Sequence, residues 1–172
     1  MSARADDGAT TIDPLMLRRA FGCFATGVTI VTTLDAHEEP VGVTASSFNT
    51  VSLAPPLVLW SLARSAHSFE SFVTANHFAV HVLDAAHRGL SERFSRASTN
   101  KFGELAWASG TGGVPVLPGM AATFECAVEH RYNGGDHLIL VGRVLRLSGP
   151  AEAERPLLFH RGRYAALAKD EA

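Results

Sequence analysis

Apolar positions change their spacing several times along this chain of 172 residues. In "DPLMLRRAFGCF", Leu17, Ala20, Phe21 and Phe24 recur at helical intervals behind Asp13 and Pro14, an N-cap residue and a first-turn proline. A short amphipathic helix is expected there, ended by Thr26 and Gly27. From Val28 the period falls to two. "VTIVTTL" and "VGVTAS", separated by the turn cluster "DAHEEP", predict a hairpin. A third strand starts near Phe48 and is interrupted at Pro55-Pro56 before "LVLWSL". Helical spacing returns in "SFESFVTAN", "HFAVHVL" reads as a strand, and "HRGLSERFS" as another short helix. "ATFECAVEHRY" and "HLILVGRVLRL", joined by "NGGD", predict a long hairpin, and "PLLFHRGRYAAL" a last strand. Strands linked mainly by hairpins, with helices at the margins, predict a mainly β protein built as an antiparallel barrel.

The length suits one domain with a proper core, expected over residues 12–168, with a flexible arm at 1–11 and a tail at 169–172. Residues 95–121 are irregular and rich in Gly, Ser, Thr and Pro, the signature of a segment that is functional or covered by a partner. Charged residues make up 19% of the chain, few enough to leave room for a buried oligomer surface. The net charge of -2 gives no broad field for a polyanion, which argues against nucleic acid as a partner. Cys23 and Cys126 lack metal-ligand spacing and are expected as core thiols of a reducing compartment. The N-terminus has no apolar leader and no run approaches a membrane span, so a cytoplasmic protein without a membrane partner is expected.

Familiar catalytic motifs are absent: no G-x-S-x-G, H-E-x-x-H, Walker A loop or G-x-G-x-x-G occurs. His77 and His81 have the i, i+4 spacing of a helical metal site, but on a strand that spacing separates them by roughly 13 Å, so they read as ordinary strand histidines and no metal is expected. The conspicuous feature is polar. Between two apolar runs stand Thr44, Ser46, Ser47, Asn49, Thr50 and Ser52, and hydroxyls and amides buried without partners are costly. A barrel rim of small polar groups and aromatics, with no nucleophile or general base, suits chemistry carried by cofactors, such as hydride transfer between nicotinamide and flavin.

"FATGVTIVTT", "GVTASSFNTVSLAPPLVLWSLA", "HSFESF", "RFS" followed by "KF", "GDH" and "FHRGRY" stand in the order found in the flavin reductase-like family. Over residues 14–167 the chain resembles the short reductase component of two-component flavin-dependent monooxygenases. The resemblance implies an FMN-binding split barrel, a homodimer, reduction of FMN or FAD by NADH or NADPH, and delivery of reduced flavin to a separate monooxygenase. A flavin-binding carrier or sensor without turnover is the alternative from another class. An enzyme with a non-flavin substrate, like the related pyridoxamine-phosphate oxidases, is a third.

Carried onto this sequence, the resemblance places Thr44, Ala45, Ser46, Ser47, Phe48 and Asn49 along the flavin, the serines and backbone amides bonding its phosphate, ribityl chain or ring edge. Local turns and strand ends are the plainer use of such groups. Ser61, Leu62 and Ala63 are expected against the ring, whereas alternation makes Trp60 a core residue. His67 and Ser68 stand at a helix start suited to an anion, and Ser68 fits a simple N-cap equally well. Phe94, Ser95, Lys101 and Phe102 match flavin-side positions, with Lys101 a candidate for the phosphate. His137 is expected beside the nicotinamide as the residue that positions the hydride donor, with Asp136 on the opposite face. Arg163 and Tyr164 are candidates for the dinucleotide, through guanidinium–phosphate pairing and ring stacking.

Overall fold

A computed structural model describes residues 12–98, 100–149 and 155–167. The expected arm and tail lie outside the described residues. Helix α1, Pro14–Phe21, begins as read: the Asp13 carboxylate accepts the Leu15 N–H at 3.0 Å, with Pro14 in the first turn. It stops earlier than expected, where Gly22 caps it with an N–H to the Arg18 carbonyl. Thr26–Gly27 is strand β1 instead. The hairpins follow as β2 (Thr29–Leu34) with β3 (Pro40–Ala45), and β4 (Asn49–Leu53) with β5 (Pro56–Ala63). Helix α2 (Phe69–Thr74), strand β6 (His77–Val82) and helix α3 (Arg88–Ser95) come next. Strands β7 (Ala108–Ser109) and β8 (Pro115–Val116) form a small ribbon inside the irregular segment. The long strands are β9 (Ala122–Gly134) and β10 (His137–Ser148), turned by Gly135 at φ 73°. The expected last strand is a hairpin, β11 (Leu158–His160) and β12 (Arg163–Ala165), because Arg161 and Gly162 both take left-handed conformations, φ 50° and 76°. It forms a three-stranded sheet in the order β1-β11-β12.

The main sheet has seven strands in the order β3-β2-β6-β9-β10-β5-β4, and every pairing within it is antiparallel. Its two edges, β3 and β4, are consecutive in sequence, joined only by Ser46, Ser47 and Phe48. A flat sheet of this size would hold its edges about 29 Å apart, while the chain from Ala45 to Asn49 reaches at most about 14 Å. The sheet therefore curls until its edges face each other across a seam. Register shifts in β9–β10, at Val141/Gly142 and Val144/Arg146, and in β4–β5, at Thr50/Ser52, supply local twist for that curl. At Gly142 the backbone lies so close to Phe78 that a Cβ would stand 2.4 Å from its ring.

Inside the curl lies one core, with Val31, Val58, Trp60, Phe72, Phe78, Val80, Leu138 and Leu140. Trp60 is fully buried, as alternation predicted, and meets Phe72 edge to face at 4.9 Å. A second core joins Val28, Ile30, Leu83, Phe94, Leu117 and Leu157 beneath α3. The irregular segment is tied down at two buried points. Glu125 accepts both the backbone N–H and the hydroxyl of Thr111 at 2.6 Å, and the Leu117 N–H donates to Nε2 of His81 at 3.0 Å. His81 Nδ1 then donates to the Ile30 carbonyl at 3.1 Å. Both ring nitrogens serve the fold, and burial pushes this imidazole down to about 4. Cys126 is a core thiol, but Cys23 is exposed just beyond α1. None of the residues of α1 is buried.

Candidate functional site

At the seam the hydrogen-bond ladder between β4 and β5 ends at Asn49 and Leu59, leaving the outer edge of β5 unpaired from there on. The Ser47 hydroxyl closes the gap: it accepts the Ser61 N–H and donates to the Ser61 carbonyl, both at 2.9 Å. A side chain does here what a neighbouring strand would do. On the other edge, the Thr44 hydroxyl donates to the Ser91 carbonyl at 2.7 Å and fastens β3 to α3. Asn49 Oδ1 accepts the Thr50 N–H. The Thr44 and Ser47 hydroxyls and Asn49 Oδ1 thus bond main chain, as in the plainer reading. Ser46 differs. Its hydroxyl has no hydrogen-bond partner among the described residues, and the amides of Ser46, Ser47 and Phe48 donate to no backbone carbonyl there.

Those groups border a cleft of about 240 Å³ lined by Thr44, Ser46, Ser47, Ser61, Ala63 and His137, with Val43 and Ala66 as further walls. Small side chains at Ala63 and Ala66 let a flat ligand approach the backbone closely. Ala45 and Leu62 also border it, but their side chains turn into the core, so what they offer the cleft is main chain. A second hollow, about 290 Å³, shares Thr44 and Ser46 and adds Ser95, Phe159 and Tyr164. Ligand clefts begin at about 300 Å³; joined at Ser46, the two hollows fall within that range. His67, Ser68 and Lys101 line a third, beside Asp35 and Glu39.

His137 opens β10 opposite Ala63, and its Nδ1 lies 2.7 Å from the Asp136 carboxylate. This corrects the expectation of opposite faces: Asp136 belongs to the two-residue turn, before strand alternation begins. The hydrogen bond from His137 holds the Asp136 carboxyl below its ordinary range. With Nδ1 engaged by the carboxylate, Nε2 is the nitrogen left for a ligand.

Other expected residues are placed elsewhere. Phe94 has no exposed surface; it packs edge to face on Phe102 at 5.1 Å and against Gly42, so both phenylalanines build core and loop packing and not a ring platform. Phe48 turns inward to Phe124 at 5.6 Å, and Asn49 is exposed on the edge strand. Lys101 donates to the carbonyls of Gly42 at 3.0 Å and Phe94 at 2.8 Å, and partial burial lowers its pKa. One ammonium hydrogen remains for an anion. Ser68 occupies the N-cap position of α2 without making a side-chain cap bond, and the Ser95 hydroxyl donates to the Glu92 carbonyl. Tyr164 stands in the second hollow, its hydroxyl 2.8 Å from that of Ser91, while Arg163 is exposed and outside the three hollows. Sequence reasoning missed Val43, Ala66 and Phe159. Val43 shares the inward face of Ala45 and packs on the core as it borders the cleft, and cross-strand pairing with Tyr164 explains Phe159.

Comparison with known proteins agrees with this architecture. The flavin reductase like domain matches residues 21–168. The FMN reductase (NADH) SmoA of Agrobacterium fabrum is 50% identical over 75% of this chain and 73% of its own. The reductase subunit HsaB of a flavin-dependent monooxygenase from Rhodococcus jostii is 39% identical over 99% of this chain and 88% of its own. The NADH:FAD oxidoreductase SgcE6 of Streptomyces globisporus, solved with NAD and FAD fragments, superposes with a TM-score of 0.85 at 38% identity, covering 95% of this chain and all of that one. Two Rhizobium meliloti relatives are longer, and the chain spans 44% and 59% of their lengths. On the breadth of these matches and the placement of its seam, the chain belongs to the flavin reductase-like family.

Proposed function

We propose that residues 12–168 form one split-barrel domain that reduces FMN or FAD with NADH or NADPH and passes the reduced flavin to a separate monooxygenase. The observation that supports this most is the seam: exposed Ser46, whose hydroxyl and amide have no protein partner among the described residues, and the free amide of Ser47 border a slot edged by Ser61, Ala63 and His137. Amides and a hydroxyl in this arrangement suit the polar edge of an isoalloxazine, and small residues on the facing strand suit its flat face. A flavin held there would supply the electron sink for a hydride from the nicotinamide. The protein's part is to hold two rings in contact and exclude water. In this reading Ser46 and the loop amides orient the flavin, and Lys101, with Ser68 and His67 beside it, meets its phosphate. The Nε2 of His137 orients the nicotinamide carboxamide while Asp136 keeps the ring in place. Tyr164 and Ser95 border the space for the dinucleotide.

The named activities of SmoA, HsaB and SgcE6 agree with that assignment. A homodimer fits the exposed apolar side chains of Val51, Leu53, Leu145 and Leu147 on β4 and β10, Leu53 being 97% exposed. Among the described residues no helix is long and apolar enough to cross a membrane, and we place the protein in the cytoplasm. The test is direct. Purified protein with FMN or FAD should oxidise NADH or NADPH under anaerobic conditions, reducing flavin stoichiometrically, and His137→Ala should raise the nicotinamide KM by about tenfold, the loss of one good hydrogen bond. Bound flavin without oxidation of either nicotinamide would leave a carrier or sensor instead.

A further inference from the structure

Arg18, Arg19 and Arg161 line one cleft of about 460 Å³ together with Leu15, Cys23 and Gly162, and among the described residues no carboxylate lines it. Among the described residues none of the three arginines forms a salt bridge, although the chain as a whole carries a net charge of -2. Two distant segments build this concentration of positive charge. Arg18 and Arg19 come from the last turn of α1, and Arg161 from the β11–β12 turn, which is docked on the helix by its N–H to the Gly22 carbonyl at 2.9 Å. The fit is close: a Cβ on Gly22 would stand 3.3 Å from the Arg161 Cα.

Arg161 is also an unusual residue for its place. Its φ of 50°, next to Gly162 at 76°, is the left-handed pair that asparagine and glycine satisfy best, and a long side chain there is disfavoured. The turn nevertheless presents a guanidinium, 3.8 Å from the Cys23 sulfur. Along the same hairpin, Phe159 and Tyr164 pair across the strands and line the hollow next to Ser46. The arginine cleft and that hollow share no lining residue, but both are built on this hairpin, about 7 Å apart along it at two residues of strand.

We propose that Arg18, Arg19 and Arg161 bind a phosphate group of the nucleotide substrate, distal to the ring slot. This rests on the reductase reading for the identity of the nucleotide, but not for the anion site itself. Guanidinium forks match phosphate oxygens in bidentate fashion, and three in one cleft suit a pyrophosphate or a phosphate monoester better than a carboxylate. The chemistry is shared by the pyrophosphate of FAD, that of NADH or NADPH, and the 2′-phosphate of NADPH. FMN, whose phosphate the same reading assigns to Lys101, does not need this cleft.

The test pairs a direct titration with kinetics on the Arg18→Gln/Arg161→Gln protein. Inorganic pyrophosphate titrated into the full-length wild type by calorimetry should bind, more weakly as salt rises, and the double variant should lose tenfold or more. In turnover the same variant should raise the KM of FAD, NADH or NADPH by tenfold or more, with the FMN value moving less than twofold. A change confined to NADPH identifies the 2′-phosphate, one confined to FAD the flavin adenylate, and an equal change for both nicotinamides their pyrophosphate. Absence of pyrophosphate binding by the wild type, or equal binding by the variant, overturns the proposal. Loss of pyrophosphate binding with every KM unchanged also overturns it, since the anion site then serves no nucleotide. Failure of the wild type to oxidise nicotinamide sinks the reductase reading and leaves the titration to decide the anion site. If the double variant does not fold, Arg161→Lys alone, which keeps the charge and loses the fork, should weaken pyrophosphate at least threefold; unchanged affinity overturns the proposal.

Discussion

Replacing Ser47 with alanine removes one hydroxyl and two hydrogen bonds, both 2.9 Å and both to the main chain of Ser61. Each such bond contributes about 0.5–1.5 kcal/mol net, and a buried group left unpaired costs more. Ser61 is half-buried on a cleft that admits water, so rehydration recovers part of the loss. The expected destabilisation is about 1–2 kcal/mol. Urea unfolding should show it as a lower midpoint with an unchanged slope, because the amount of surface exposed on unfolding stays the same. Ser46→Ala is the neighbouring control, exposed where Ser47 is half-buried and without a protein partner. Its stability should stay within about 0.5 kcal/mol of wild type, while flavin affinity falls about fivefold for one lost neutral hydrogen bond. The two variants thus separate latch from ligand contact. An unchanged midpoint for Ser47→Ala, or a larger stability loss at Ser46 than at Ser47, would refute the assignment of roles along this loop.

Acid should weaken the fold through His81. Its Nε2 must stay unprotonated to accept the Leu117 N–H, and burial holds it near 4 where the unfolded chain titrates at 6.5, so the unfolded state binds the extra proton between those values. Stability should fall by about 3 kcal/mol as pH drops through that window, and chemical denaturation of His81→Gln should lack that slope. Gly42→Ala should cost about 1–3 kcal/mol in thermal or urea unfolding, since its Cβ would stand 2.5 Å from the buried Phe94 ring. Asp136→Asn should raise the nicotinamide KM while leaving flavin affinity unchanged, because the His137 ring loses its charged acceptor at 2.7 Å; a change in flavin affinity alone would count against that role.

Much of the fold was legible because each long strand carries its own evidence. In β5, alternation identified Trp60 as inward before any partner was known; Val58 and Leu62 share that inward face, although Leu62 was expected against the ring. What alternation does not contain is strand order. The placement of β3 and β4 at opposite edges of one sheet depends on pairings between residues far apart in sequence, and it is this order, together with a three-residue connection, that forces the curl. The β11–β12 turn was hidden for a local reason: Arg161 is no turn former, so "FHRGRY" reads as one alternating strand until its left-handed φ is seen.

The site was legible in its location and less so in its chemistry. A cluster of small polar residues between two apolar strands marks a place where hydroxyls need partners, and its first half, Thr44, Ser46 and Ser47, does border the cleft. Which hydroxyl serves a ligand depends on where the ladders end, and that is decided by geometry far along the chain. Ser47 and Ser46 look alike in sequence, yet one replaces a missing strand and the other faces open space. Phe94 shows the converse. Its i, i+4 partner Leu90 on α3 also packs at the second core, so helical spacing already favoured packing over a ring contact, and the motif reading overrode it. Asp136 was assigned by strand parity one residue too early, before the strand had begun. For the two serines the source is physical: their types are alike, while their roles are set by whether the backbone beside them has already found its hydrogen bonds. The loop of residues 46–48 is the place at this seam where it has not, and that is the reason to look there for the flavin.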